Sequence, residues 1–181
     1  MSVHPPQEID SPPIDIDMLD HLHDMLEGIR TQIHYADRKA QAIFSVNALM
    51  IAALSLVSQT SLNANQPTND IIPALRGIAV VLLLATIAAS SYYVLLTLTP
   101  RLKTGMLDSL YFFGRVAQMP HDQYVRAYIE SSLEERARQI LDQVHVNSQI
   151  AVAKYRNAAR ATDILYMTLI ILAVIVALSF F

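Results

Sequence analysis

Residues 77–98 read GIAVVLLLATIAASSYYVLLTL, 22 consecutive positions without a charge. A helix of that length reaches about 33 Å, enough for a hydrocarbon core of about 30 Å. Working outward, Tyr92 and Tyr93 fall toward one headgroup layer, Pro100 stops the helix, and Arg101 and Lys103 mark the return to water. On the other side lies a polar linker, 59–76, with Asn63, Asn65, Pro67 and Asn69. Thr68, Asn69 or Asp70 can cap the incoming helix. Pro73 is tolerated in its first turn, where the missing N–H has no partner.

Two further stretches share this character. Residues 40–58 (AQAIFSVNALMIAALSLVS) lie in a run without charge from Ala40 to Asn69. Residues 164–181 (ILYMTLIILAVIVALSFF) reach about 27 Å as a helix, short but sufficient. Between and before them the chain is polar and helical in pattern. Residues 1–13 (MSVHPPQEIDSPP) are Pro-rich and read as a disordered tail, without the basic and apolar regions of a signal peptide. From Ile14, Ile16, Leu19, Leu22, Leu26, Ile29 and Ile33 recur at three- and four-residue steps, an amphipathic helix over 14–39. Nothing breaks it before Ser58, so one helix can run from water into the bilayer.

Residues 99–163 form a second water-exposed helical region, wholly helical from 104. It opens on an aromatic segment (Leu107, Leu110, Tyr111, Phe112, Phe113, Val116). Pro120 starts a short helix with Tyr124 and Tyr128. Ser132 and Glu135 form a Ser-x-x-Glu capping box that starts a long one. Its packed side carries Leu133, Ala137, Ile140, Leu141, Val144, Ser148, Ala151 and Tyr155, and no breaker follows before the C-terminus. The expected fold is thus an all-α integral membrane protein. It has three transmembrane helices, a helical cytosolic domain, and long helices continuous from cytosol into membrane.

Charge orients the chain. Residues 1–39 hold eight acids and three bases, and residues 101–163 nine bases and seven acids. The 59–76 linker has Arg76 alone. The positive-inside rule places the N-terminus and residues 99–163 in the cytosol, with the linker and the C-terminus outside. Only 16% of residues are charged and 53% are hydrophobic, against about 25% charged in soluble domains. The mild basicity of 101–163 is too weak for a nucleic acid polymer but fits a small anion or an anionic leaflet. The chain has no cysteine, which excludes disulfides and thiolate metal sites, and its 4 glycines form no phosphate loop.

Candidate chemistry concentrates just before the first and third spans. Tyr35, Asp37, Arg38 and Lys39 lie on the first long helix, with Tyr35 and Lys39 on one face and Asp37 roughly opposite. Asn147, Lys154, Tyr155 and Arg156 lie on the last, with Asn147 and Lys154 stacked at seven residues. Such residues offer cations for a phosphate, amides and a carboxylate for base edges, and tyrosines for stacking. They equally suit topology anchors that snorkel to headgroups. Asn47, inside the first span, needs a partner in hydrocarbon. It can bond across helices, order an oligomer, line a pore, or bond locally. Asp17, His21 and Asp24 share a face but read as a solvated acidic surface, so no metal site is assigned. No nucleophile, base and carboxylate set is present, and no enzyme is expected.

The run Tyr35-Ala36-Asp37-Arg38-Lys39-Ala40, Asn47 beyond it, the aromatic Tyr111-Phe112-Phe113, and Asn147-Ser148-x-Ile150-Ala151-x-x-Lys154-Tyr155 together resemble the transmembrane effector of bacterial Pycsar antiphage systems, over roughly residues 20–181. The resemblance implies a multi-pass protein of the bacterial inner membrane, with no cofactor of its own. Its signal would be cyclic CMP or cyclic UMP from a partner pyrimidine cyclase, with the two proteins linked through that product. Its output would be impairment of the inner membrane, halting growth or killing the infected cell. Asp37, Lys39, Asn147, Lys154 and Tyr155 would form or flank the messenger site, and a homo-oligomer is expected. Two other classes fit the bare residues: a membrane-anchored scaffold that docks a partner through its Tyr/Phe segment, and a constitutive holin-like pore-forming toxin.

Overall fold

The computed structural model describes residues 14–62, 71–99 and 109–179, with side chains at all of these but 58–62 and 113. The 1–13 tail, the middle of the 59–76 linker, the stretch 100–108 with Pro100, Arg101, Lys103 and Leu107, and the last two residues of the third span lie outside the described residues. All regular structure among the described residues is helical: α1 (Ile16–Leu62), α2 (Ile71–Leu98), α3 (Phe113–Val116), α4 (His121–Glu130) and α5 (Leu133–Ala177). By length and composition α1, α2 and α5 can each cross a membrane.

The two longest helices owe their form to a repeat finer than simple amphipathicity. In α1 the positions 19, 22, 26, 29, 33, 36, 40, 43, 47, 50 and 54 alternate steps of three and four, and all are buried or half-buried. In α5 the positions 137, 140, 144, 147, 151, 154, 158, 161, 165, 168, 172 and 175 do the same. A strict 3-4 alternation is the heptad of a coiled-coil seam, where each inward side chain seats between those of a neighbouring helix.

The chain divides into two compact units, Met1–Gly28 with Lys103–Val146, and Ile29–Leu102 with Asn147–Phe181. In the first unit Leu19, Leu22 and Leu26 of α1 pack on Ala137 and Ile140 of α5, with Ile14, Tyr111 and Val144 around them. The edge of the His23 ring meets Tyr111, with centroids 5.8 Å apart. The Leu110 N–H donates to Gln139 Oε1 at 2.8 Å, fixing the aromatic segment to α5. The start of α5 is a reciprocal capping box: the Glu135 N–H donates to Ser132 Oγ at 3.1 Å, and the Ser132 N–H donates to Glu135 Oε2 at 3.0 Å. Arg136 closes the end of α4. Its guanidinium donates to the Tyr128 carbonyl and to Ser131 Oγ and lies over the Tyr128 ring, so a carbonyl left open by the helix end gains a charged donor.

Three expectations are corrected here. The region from 104 is not wholly helical, because 109–112 and 117–120 are turns and bends. Leu133, Leu141 and Tyr155, expected on the packed side of α5, are exposed. The step of eight from Leu133 to Leu141 rotates about 80° off the seam, whereas Ala137 and Ile140 stay on it. Ile16 is likewise exposed, one turn ahead of the first buried leucine.

In the second unit α2 runs antiparallel to α1, and α5 lies parallel to α1. One core cluster joins Met50, Leu54, Ala79, Leu83, Ile87 and Ile175. Another joins Ala40, Ile43, Val94 and Ala161, with Tyr93, Leu98 and Leu165 against it. Small residues let the helices close tightly: Ala36, Ala40, Ala158 and Ala161 have no exposed surface. Large apolar side chains point outward instead, among them Leu49, Leu56, Val81 and Ile170. Polar residues inside and apolar residues outside is the arrangement that lipid favours.

Candidate functional site

The sequence-marked residues before the spans meet in the second unit. Lys154 sits on the α5 seam, where coiled coils ordinarily place an apolar residue. Its Nζ donates to Asp37 Oδ1 at 2.5 Å, and its side chain is only 8% exposed against 24% for that of Asp37. At that exposure the ammonium has lost most of its water, and the carboxylate compensates it. One residue on, the Tyr155 hydroxyl donates to Gln32 Oε1 at 2.8 Å, a second tie between α1 and α5.

The remaining marked residues surround this pair less closely. The Arg38 guanidinium stands 6.0 Å from the centre of the half-exposed Tyr35 ring. Lys39 and Arg156 are exposed, and Asn147 is half-buried on α5, two turns ahead of Lys154. The structure therefore brings Asp37 and Lys154 together, ties Tyr155 to Gln32 and Tyr35 to Arg38, and leaves Lys39 facing water. Asp37 is partly reached from solvent, and exposed Arg38, Lys39 and Arg156 make the approach favourable to anions.

Asn47 found its partners across helices, within one chain. Its Nδ2 donates to Ser90 Oγ at 3.1 Å and Ser91 Oγ at 3.2 Å on α2, and Ser90 Oγ donates to the Ala161 carbonyl of α5 at 3.2 Å. One amide thus links all three apolar helices. Nearby, the Arg160 guanidinium lies 5.7 Å from the centre of the Tyr93 ring. Gln32, Ser90, Ser91 and the buried Asn157 were not singled out from sequence. The three- and four-residue spacing of buried positions 83, 87, 90, 94 and 97 in α2 could have found Ser90, whereas Gln32 and Asn157 lie off the seams of α1 and α5 and carried no such signal.

Three long helices with apolar exteriors, joined by apolar clusters and buried polar contacts, fit a helical membrane protein. A family description, the Pycsar effector protein domain (PycTM), matches residues 21–181. The chain belongs to that family and is an effector of antiphage defence. No curated protein and no solved structure matches it significantly.

Proposed function

We propose that this effector senses a cyclic pyrimidine mononucleotide, cyclic CMP or cyclic UMP, and responds by impairing the bacterial inner membrane. The N-terminus and the region between the second and third spans would lie in the cytosol, and the C-terminus outside. The observation that carries the reading is the pair of buried Lys154 and half-buried Asp37 between α1 and α5, adjoining the apolar stretches of both helices. A messenger whose phosphate binds Lys154 would displace Asp37 and alter how the two helices pack. It shifts the helices only as far as it binds the altered state better. Arg38 and Lys39 would add charge, Tyr155 and Tyr35 stacking surface, and Asn147 an amide for a base edge. Catalysis by the chain itself has no part in this reading.

Calorimetric titration of the purified full chain with each cyclic nucleotide tests it. Saturable binding of cyclic CMP or cyclic UMP is expected, with cyclic AMP and cyclic GMP much weaker, and loss of binding in Lys154→Ala. Equal, nonspecific heats from all four nucleotides would remove the proposal. A second reading, a scaffold that captures a protein partner, draws on one observation: α4 buries none of its residues and exposes Val125 and Ile129 on one side.

A further inference from the structure

The first unit covers one flank of the α1 and α5 pair and leaves the other open. With the seam positions counted as a and d of the heptad, Leu19 and Leu22 of α1 fall at a and d, and so do Ala137 and Ile140 of α5. One flank of these parallel helices holds position e of α1 and position g of α5. The aromatic segment and α4 cover it: His23 meets Tyr111, Arg136 holds the end of α4, and Gln143 is buried. The opposite flank holds position g of α1 and position e of α5. There stand Met18, Met25 and Leu141, which are 39%, 41% and 45% exposed. Two-stranded coils ordinarily place charge at these positions. Here charge fills the outward f positions instead, with Asp17, Asp24, Glu135 and Asp142. The open apolar residues precede the apolar stretches that begin at Ala40 and Ile164, so bilayer lipid does not cover them.

We infer that this flank is the contact between two copies of the chain, side by side about a two-fold axis, with α1 of each copy against α5 of the other. An apolar row beside a seam widens a two-helix stripe into the broader apolar face of a four-helix bundle. Methionine suits such a contact because its unbranched side chain fills irregular gaps. Charge selects the arrangement. At the outer edge of this flank α1 carries Asp17 and Asp24, and beside Leu141 α5 carries Arg138, all of them exposed. Placing α1 against α1 would oppose each of these acids to its own copy. Placing α1 against α5 sets them toward Arg138 on both sides of the axis, the self-complementary pattern that a two-fold requires. Glu134 shares the α5 flank but stands at its outer end, in the first turn of the helix. Two copies anchored in one bilayer point the same way, as this pairing needs. The inference therefore rests on the membrane reading of the chain and not on the messenger.

The full chain has no cysteine, so the contact can be trapped. Two differently tagged forms are co-expressed, one with Met25→Cys and the other with Leu141→Cys. Mild oxidation of the membranes is expected to give a disulfide-linked pair carrying both tags. Glu27→Cys, toward the covered side of α1, with Leu141→Cys should give none. Photobleaching of fluorophore-tagged chains in membrane vesicles is expected to show two steps in the wild type and one in Leu141→Glu. That side chain is partly exposed, so the variant should keep the wild-type circular dichroism, and Met25→Glu replaces it if it does not. Arg138→Glu should also give single steps, and adding Asp24→Arg should restore two. Single steps in the wild type, two steps surviving in both apolar-to-glutamate variants, or equal crosslinking through Glu27→Cys would overturn the inference. So would tagged chains that link only to a protein of another mass, or a charge reversal that Asp24→Arg does not rescue. Failure of nucleotide binding in the calorimetric titration would instead remove the sensing reading and leave this contact standing.

Discussion

At the residue scale the decisive positions are polar groups on an otherwise apolar seam. Lys154 and Asp37 hold each other in a site where either charge alone is poorly solvated. Lys154→Met is expected to lower thermal stability more than the double variant Asp37→Leu with Lys154→Met, with a coupling of about 0.5–3 kcal/mol in a double-mutant cycle. Additive effects would show that the pair is held by its neighbours rather than by attraction. Tyr111 gives a second prediction. Burial in the Leu19, Leu22 and Leu26 cluster raises its phenol above the ordinary 10.0, helped by Tyr128 and opposed by Arg136. A raised value in the folded state leaves stability intact below the unfolded value and removes it as pH rises through the folded one. Melting temperature in detergent should therefore fall above a pH of about 10, and Tyr111→Phe should flatten that fall. An equally steep fall in the phenylalanine variant would assign the effect elsewhere.

At the element scale, the start of α5 was legible and its packed face was legible in part. The Ser132 and Glu135 spacing announced a capping box, and both of its hydrogen bonds are present. Ser132→Ala is expected to cost about 1 kcal/mol and to speed amide exchange in the first turn of α5 without changing the rest of the helix. Uniform exchange along α5 would mean the helix start is held by Arg136 and α4 alone. Ala137, Ile140 and Ala151 are buried as expected, and Ala158 and Ala161 continue that face, but Leu133, Leu141 and Tyr155, included because large residues were weighted over the alanine spacing, look outward. Where helices approach closely, small residues occupy the contact and large ones cover the outside, as lipid permits. Asn47 was recognisable as a group in need of a partner. Its choice of Ser90 and Ser91 depended on the register between α1 and α2, which no local pattern in either helix encodes.

At the scale of the whole molecule, hydropathy identified three helices able to span a bilayer, and the effector family accounts for residues 21–181. The messenger and the form of membrane damage are not written in hydropathy, because the same apolar lengths serve anchors, pores and sensors alike. Orientation is directly measurable, since the chain has no cysteine to interfere with labelling. With the proposed topology, Gln123→Cys should react with a membrane-impermeant maleimide only in inverted vesicles, and Gln66→Cys only in intact spheroplasts. The reverse pattern would place Lys154 and Asp37 outside, where no messenger made in the cytosol could reach them.

The Asn47, Ser90 and Ala161 bonds also limit how the three helices can move. Apolar contacts above and below them tolerate slippage, but directional hydrogen bonds do not. Sliding α1 past α2 by one turn, about 5.4 Å, would break them all, whereas tilting about that level would keep them. The amide therefore works as a fulcrum. With stiff helices, a force that parted α1 and α5 at Asp37 and Lys154 would swing Met50 and Ile175, beyond the fulcrum, in the opposite sense.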